Sequence, residues 1–280
     1  MNQTSSSDRP DLSVVIITLN EEKRLPLCLQ SLPRGAEIVV LDSGSTDRTR
    51  EVATRFGARV ETRPFTDYAD QKNAASALAS RNWILSIDAD EVLDETLSNS
   101  ILDVSRPEAG RRENGFRLRR RLVFMGRTMR FGKTSDRPLR LFRKGRGRFT
   151  SPIHERLVLE SGPTGLLAGQ MAHHSYASVT DYFHRFNRYT SRVADHHIDR
   201  HGMARPGPLH VVRPWGEFLK RYVLLLGFLD GYPGYCYALF SSFYAYVKYV
   251  KIRERCMERP VQSANDHGST RDPQPEIHGR

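Results

Sequence analysis

Residues 83–90 read Trp-Ile-Leu-Ser-Ile-Asp-Ala-Asp, an apolar run closing on two carboxylates one residue apart, Asp88 and Asp90. A buried strand of this kind delivers its last side chains to the carboxyl edge of a sheet, where open α/β sheets collect ligands. Two hard oxygen donors there suit Mg²⁺ or Mn²⁺ bridging the phosphates of a nucleotide. Alone the tripeptide says little, because turns after strands favour Asp for local hydrogen bonding. Its weight comes from the segments around it.

Leu12 to Leu19 (LSVVIITL) is a nearly continuous β-branched run, as in a strand buried on both faces, and it stops at Asn20-Glu21-Glu22. Leu25, Leu27, Cys28, Leu29 and Leu32 then give a helical apolar face closed by Pro33 and Gly35. Ala36 to Leu41 is a second short run ending in Asp42-Ser43-Gly44-Ser45-Thr46-Asp47, followed by a predicted helix over 48–56. Ala58 to Thr62 is a weaker third strand, and the alanine-rich stretch from Tyr68 to Ser80 is a helix leading into the Asp-x-Asp strand. Alternating strands and helices predict a doubly wound, mostly parallel α/β sheet, because parallel neighbours need a crossover that the helix supplies. The strand ends then share one edge, so Asn20, Glu21, Asp42, Ser43, Asp88 and Asp90 converge. No Gly-x-Gly-x-x-Gly follows the first strand and no P-loop pattern occurs. Phosphate charge must be met by metal and side chains.

As a set, Val14-Val15-Ile16-Ile17-Thr18-Leu19-Asn20-Glu21, Leu41 to Asp47, Gln71-Lys72-Asn73-Ala74-Ala75 and Ile87-Asp88-Ala89-Asp90-Glu91 resemble the inverting family 2 glycosyltransferases of the GT-A nucleotide-sugar fold. The likeness covers about 12–97, and a weaker one to a bacterial subgroup including lipopolysaccharide-core glucosyltransferases continues to about Arg255. It implies that Thr18, Asn20 and Glu21 lie beside the nucleotide, with Asp42 on the base and Ser43 next to it. Lys72 and Asn73 match a basic-plus-amide pair near the diphosphate and ribose. Asp88 matches a carboxylate near ribose and metal, and Asp90 the direct metal ligand. Turn chemistry for Thr18 and Ser43, and a solvated helix position for Lys72, are the plain alternatives.

A sugar hydroxyl is a poor nucleophile near neutral pH, so inversion at the anomeric carbon needs a base within hydrogen-bond reach. Glu155 is the candidate, because Ser151-Pro152-Ile153-His154-Glu155 resembles a segment of the same subgroup. From Arg111 to Phe149 only Glu113 and Asp136 are acids among fifteen arginines and lysines, so a carboxylate just beyond stands out. The alternative is a simple ion pair with Arg156 or another cation. His154 is a candidate to orient Glu155 or meet the diphosphate. His173 matches a histidine that serves some relatives as a third metal ligand, with His174 beside it; structural histidines are the commoner case.

The arginines of Phe116-Arg117-Leu118-Arg119 and Pro138-Leu139-Arg140-Leu141-Phe142-Arg143 alternate with apolar residues, which predicts cationic faces of β-hairpins. Such a surface suits an anionic acceptor or membrane; no recognisable nucleic-acid-binding pattern accompanies it. Net charge is +11, and three cysteines at 28, 236 and 256 are too few for a disulfide framework or zinc cluster. Pro214 to Leu229 and Tyr235 to Val250 are apolar and aromatic, interrupted at Asp230-Gly231-Tyr232-Pro233-Gly234 and flanked by cations. Neither reaches the ~20 apolar residues of a span. An interfacial helical hairpin on the cytoplasmic face of the membrane is expected, with packing onto the catalytic domain or a dimer contact as the alternative.

The expected organisation is a flexible N-terminus (1–11), a catalytic domain (12–205, with 12–97 on the nucleotide-sugar side and 98–205 on the acceptor side), an apolar helical region (206–256) and a disordered tail (257–280). The expected activity is metal-dependent transfer from a nucleotide-diphosphate sugar to a glycolipid or envelope glycan acceptor. A nucleotidyltransferase and a noncatalytic anionic-membrane-binding protein are the alternatives. Sugar, base, acceptor, Mg²⁺ against Mn²⁺, and oligomeric state are not written in these motifs, because selectivity lies in pocket shape.

Overall fold

The computed structural model describes residues 9–106, 110–150, 155–201, 207 and 211–258. The first half alternates as expected: β1 (Leu12–Thr18), α1 (Leu25–Gln30), β2 (Glu37–Asp42), α2 (Thr49–Arg55), β3 (Arg59–Thr62), α3 (Tyr68–Leu78), β4 (Trp83–Asp88), β5 (Glu91–Leu93) and α4 (Glu95–Ser105). Asp67 and Asp94 cap α3 and α4, accepting from the amides of Asp70 and Leu97, each at 2.8 Å. The following stretch holds short strands: β6 (Gly115–Arg117), β7 (Arg120–Phe124), β8 (Arg127–Thr128), β9 (Ser135–Asp136), β10 (Leu139–Arg143), β11 (Gly147–Thr150), β12 (Arg156–Leu159), β13 (Thr164–Leu166) and β14 (Met171–His173). Three helices follow, α5 (Val179–His201), α6 (Arg213–Leu219) and α7 (Gly231–Glu258).

The main sheet has seven strands in the order β13-β6-β10-β4-β1-β2-β3. Strands β4, β1, β2 and β3 are parallel, and β10 runs antiparallel between β4 and β6. Apolar clusters cover both faces, which is why the central strands carry unbroken Val/Ile/Leu runs. Register fixes the edge: Thr18 lies opposite Asp42, and Ile17 opposite Asp88. A second sheet, β5-β14-β7-β8 with β9 on β7, sets His173 across from Glu91.

Two expectations are corrected. Strands β6 and β10 do not form a surface hairpin; they sit inside the main sheet, and Arg140, Leu141 and Phe142 are all buried. Alternating charge failed as a guide because β10 has strands on both sides and layers on both faces. The C-terminal break lies at 225–230, whereas Pro233 falls in the first turn of α7, where its missing N–H is no loss. The two helical segments meet there at 70°, and no single helix among the described residues is long and apolar enough to cross a membrane. Gly234 permits the bend: a Cβ there would lie 2.0 Å from the Gly227 carbonyl. Asp230, buried, accepts from the amides of Arg130 and Phe131 at 2.9–3.1 Å, tying the bend to the segment after β8. Of the termini expected to be flexible, 1–8 and 259–280 lie outside the described residues, as do the boundary at 206 and His154.

Candidate active site

The loops after β1 and β2 brace one another. Asp42 is fully buried; its Oδ1 accepts from Thr18 Oγ1 (2.9 Å) and Ser45 Oγ (2.5 Å), and its Oδ2 from the amides of Gly44 and Ser45 (3.0 and 2.7 Å). Asn20, at a positive φ of 57°, accepts from the Thr46 amide at 2.9 Å. Ser43 Oγ accepts from Gln71 Nε2 at 3.2 Å. Thr18, Asn20, Asp42 and Ser43 therefore build the loop edge they were expected to line, and Asp42 spends its oxygens on that loop.

Lys72 is the centre of the site. α3 presents it through the crossover before β4, only 2% of its side chain is exposed, and its Nζ lies 2.8 Å from Asp88 Oδ1 and 3.0 Å from Glu155 Oε1. Phe149 lies beneath the ammonium, 5.6 Å from ring centroid to Nζ. The other Asp88 oxygen takes Arg140 Nη2 at 2.7 Å. Burial pushes the Asp88 carboxyl up, but Arg140 and Lys72 outweigh it and hold it well below the usual carboxylate range. Arg140 also meets Glu91 at 2.9 Å, and Arg120 joins Glu91 at 3.0 Å. Glu91, wholly buried, in turn accepts from the Asp88 amide at 3.0 Å. Asn73, by contrast, gives both ends of its amide to the Phe149 backbone, at 2.8 and 2.9 Å, and thereby fixes β11.

Asp90 stands apart from that network. Its Oδ1 is 3.5 Å from His173 Nε2 and its Oδ2 3.8 Å from Arg24 Nη1. Burial raises its pKa, but the hydrogen bond and charge of His173 help bring it below the ordinary value. Arg24 binds Glu21 bidentately at 2.7 and 2.8 Å; burial nonetheless raises the Glu21 pKa. Arg24 Nη1 is buried with no hydrogen-bond partner among the described residues, an unmet donor beside the Asp-x-Asp edge. His174 points its backbone amide at the Asp90 carbonyl, 2.8 Å away, and burial lowers its imidazole pKa. Buried Cys28 lies under the edge, its Sγ 3.6 Å from the Asp88 carbonyl oxygen.

Sequence reading did not single out Arg24, Glu91, Arg120 or Arg140. Glu91 had a signal, as the acid extending Asp-Ala-Asp, and Arg24 stands three residues from Glu21 on a helical turn. Arg140 had none that set it apart from its fourteen basic neighbours.

A family model described as Glycosyl transferase family 2 matches residues 13–108. The lipopolysaccharide core biosynthesis glycosyltransferase LpsC of Rhizobium meliloti (strain 1021) is 32% identical over 256 residues, covering 87% of this chain and 92% of its own. The chain belongs to glycosyltransferase family 2. A Rickettsia typhi glycosyltransferase is 26% identical over 267 residues, covering 91% of each chain. Among solved structures, TarS 1-349 of S. aureus aligns over 88% of this chain and 91% of its own, with TM-score 0.44 and 15% identity. This family 2 glycosyltransferase has the GT-A fold, with helices appended at its C-terminal end. The family match stops just after α4, so Arg140, Glu155 and His173 lie beyond it, within the longer stretches aligned with LpsC and the Rickettsia protein.

Proposed function

We propose that this glycosyltransferase moves a sugar from a nucleotide-diphosphate donor to a glycolipid or envelope-glycan acceptor with inversion, and that Glu155 is the base. The observation that carries this reading is the Lys72 bridge, which sets the Glu155 carboxylate beside Asp88 at the carboxyl edge of β4. Lys72 engages Oε1 and so orients the carboxylate, leaving Oε2 to take the proton as the acceptor hydroxyl attacks the anomeric carbon. Likeness to a lipopolysaccharide-core enzyme supports an envelope acceptor. Family membership favours this reading over nucleotidyl transfer and over a noncatalytic membrane protein.

Asp90 and His173 are the residues that would hold a Mg²⁺ or Mn²⁺ ion, offering a carboxylate oxygen and an imidazole nitrogen. Among the described residues no group of three or more acidic, histidine or cysteine side chains is arranged to hold a metal. Two protein ligands nevertheless fit an ion that keeps waters and binds phosphate oxygens. Both Asp88 oxygens already carry cations, so Asp88 would serve such an ion through its charge and the ribose side and not as a direct ligand. When bound, the ion would neutralise the leaving diphosphate. Arg24, whose buried Nη1 makes no hydrogen bond among the described residues, is placed to donate to the same diphosphate.

Association with the cytoplasmic membrane surface belongs to the same proposal. Trp215 and Leu224 are 75% and 70% exposed, and Val223, Leu229, Tyr232, Leu239 and Phe243 are also exposed, a concentration of apolar and aromatic groups on one appendage. The test of the catalytic reading is Glu155→Gln. It should still bind nucleotide sugar, measured by calorimetry, and lose about 10²–10⁴-fold in transfer. Transfer at the wild-type rate would remove Glu155 as the base.

A further inference from the structure

A cavity of about 420 Å³ opens between α5, α6 and α7, away from the strand-end edge. Arg213, Arg221 and Lys248 bring three cations to its wall against a single carboxylate, Glu217. That carboxylate is already committed to Arg221 at 2.6 Å. Arg213 donates to the Tyr249 hydroxyl and lies over its ring, 5.5 Å from the centroid, while Lys248 lies 5.0 Å over the same ring. Among the described residues neither Arg213 nor Lys248 has a carboxylate within ion-pair distance. Burial, with the Arg213 charge, pulls the Lys248 ammonium below its ordinary pKa. Arg213 and Lys248, beside this tyrosine-walled space, thus lack a carboxylate in ion-pair contact, while Arg221 has Glu217.

The arrangement of α6 and α7 says where that counter-charge comes from. Along α7 the lining residues Tyr237, Ser241, Tyr244 and Lys248 recur at helical spacing. The exposed apolar residues Tyr235, Leu239, Phe243, Tyr246 and Val250 recur on the opposite side of the helix. In α6, Arg213 and Glu217 line the cavity while Trp215 and Leu219 are exposed. Charged groups on the cavity side, Arg213 among them although exposed, with apolar side chains on the other side of the helices, invert the order of a water-facing layer, as polar groups do in helices that meet lipid. The wall of the cavity connects to the reaction edge through neighbouring residues. Tyr176, three residues past His173, and Tyr182 of α5 form its wall, and Arg185, one turn beyond Tyr182, interacts electrostatically with Asp90.

We propose that this cavity binds a phosphate group carried by a lipid-linked acceptor, held by Arg213, Arg221 and Lys248 while the acceptor's sugar reaches the edge formed by Asp88 and Glu155. The assignment deepens the transferase reading and rests on it. The occupant is a phosphate-class anion, because the Lys248 ammonium and the guanidinium nitrogens of Arg213 and Arg221 not already spent on Tyr249, Glu217 and the Gly132 carbonyl can meet several oxygens of one group.

The test titrates the full chain in a calorimeter with dihexanoyl phosphatidic acid below its micelle concentration, inorganic phosphate, and dihexanoylglycerol as the uncharged control. Phosphatidic acid should bind more tightly than inorganic phosphate, and dihexanoylglycerol should not bind. Arg213→Gln and Lys248→Gln should each weaken phosphatidic acid binding about tenfold, whereas Lys248→Arg should stay close to wild type. Unchanged affinity in both Gln variants, or no binding of either phosphate probe, would overturn the site. Inorganic phosphate binding as tightly as the lipid would identify a free-phosphate site and overturn the acceptor assignment. A parallel titration with nucleoside diphosphate separates the two readings: its binding in every variant reports an intact fold and donor edge. Its absence in the wild type, with phosphatidic acid binding still lost in the Gln variants, would reject the transferase reading and leave the anion site standing.

Discussion

The ammonium of Lys72 lies 3.0 Å from the carboxylate of Glu155, 83 positions later in the chain, so one buried cation joins the parallel-sheet half of the chain to the segment that follows β11. The same ammonium holds Asp88 at 2.8 Å. A group placed between the Asp-x-Asp strand and the base couples the position of one to that of the other.

Lys72→Met should therefore fail in two ways. Two partly wet carboxylates lose their shared counter-charge, and stability should fall by about 2–3 kcal/mol, at the low side for breaking a buried pair. Transfer should fall further than stability accounts for, because Glu155 loses its orientation. Urea denaturation and single-turnover transfer on the same sample check both; a variant with full transfer would show that the bridge is only structural.

Acid should weaken the fold through Asp88. Its folded pKa is depressed, since Arg140 and Lys72 outweigh burial. Between the unfolded carboxyl pKa, about 3.9, and the lower folded value the unfolded chain binds more protons. The contribution is thus complete above about pH 4 and is lost as pH falls toward the folded pKa. Denaturant midpoints in metal-free buffer should drop steadily from pH 4 toward pH 2, about as far as the protein can be followed, and Arg140→Gln should flatten that slope. An unchanged slope in the variant would take Asp88 out of the acid transition.

Asp42→Ala should cost stability as well as any nucleotide affinity. Its oxygens accept four hydrogen bonds from Thr18, Gly44 and Ser45, and removing them leaves buried donors unmet. A loss of about 2–4 kcal/mol is expected by chemical denaturation. Wild-type stability with lost nucleotide binding would instead assign Asp42 wholly to the ligand.

Asp90→Asn and His173→Ala should leave the melting temperature within a few degrees of wild type, since neither joins the Lys72 and Arg140 network. Each should raise the Mg²⁺ or Mn²⁺ concentration needed for half-maximal turnover by about tenfold or more. Turnover that keeps its metal dependence in both variants would move the metal elsewhere.

Asp230→Ala should loosen the appendage. The buried carboxylate meets the amides of Arg130 and Phe131, and its loss should cost about 2–3 kcal/mol. Hydrogen exchange should rise at 129–132 and at the start of α7 together; exchange confined to one of them would deny the link.

Sequence alone determined the alternation of β1 through β4 and the convergence of their ends, because continuous Val/Ile/Leu runs and helical apolar faces are local properties that a buried parallel sheet requires. It placed Thr18, Asp42, Asp88 and Asp90 on that edge and singled out Glu155 beside a basic run. Only the tertiary structure decided that Arg140 leaves that run for Asp88 and Glu91, that Asn73 braces the Phe149 backbone, and that Arg213, Arg221 and Lys248 line one cavity. Each of these depends on register and packing between segments far apart in the chain. A charged residue reads the same in sequence whether water or a carboxylate on another strand neutralises it, and only the juxtaposition of elements distinguishes the two.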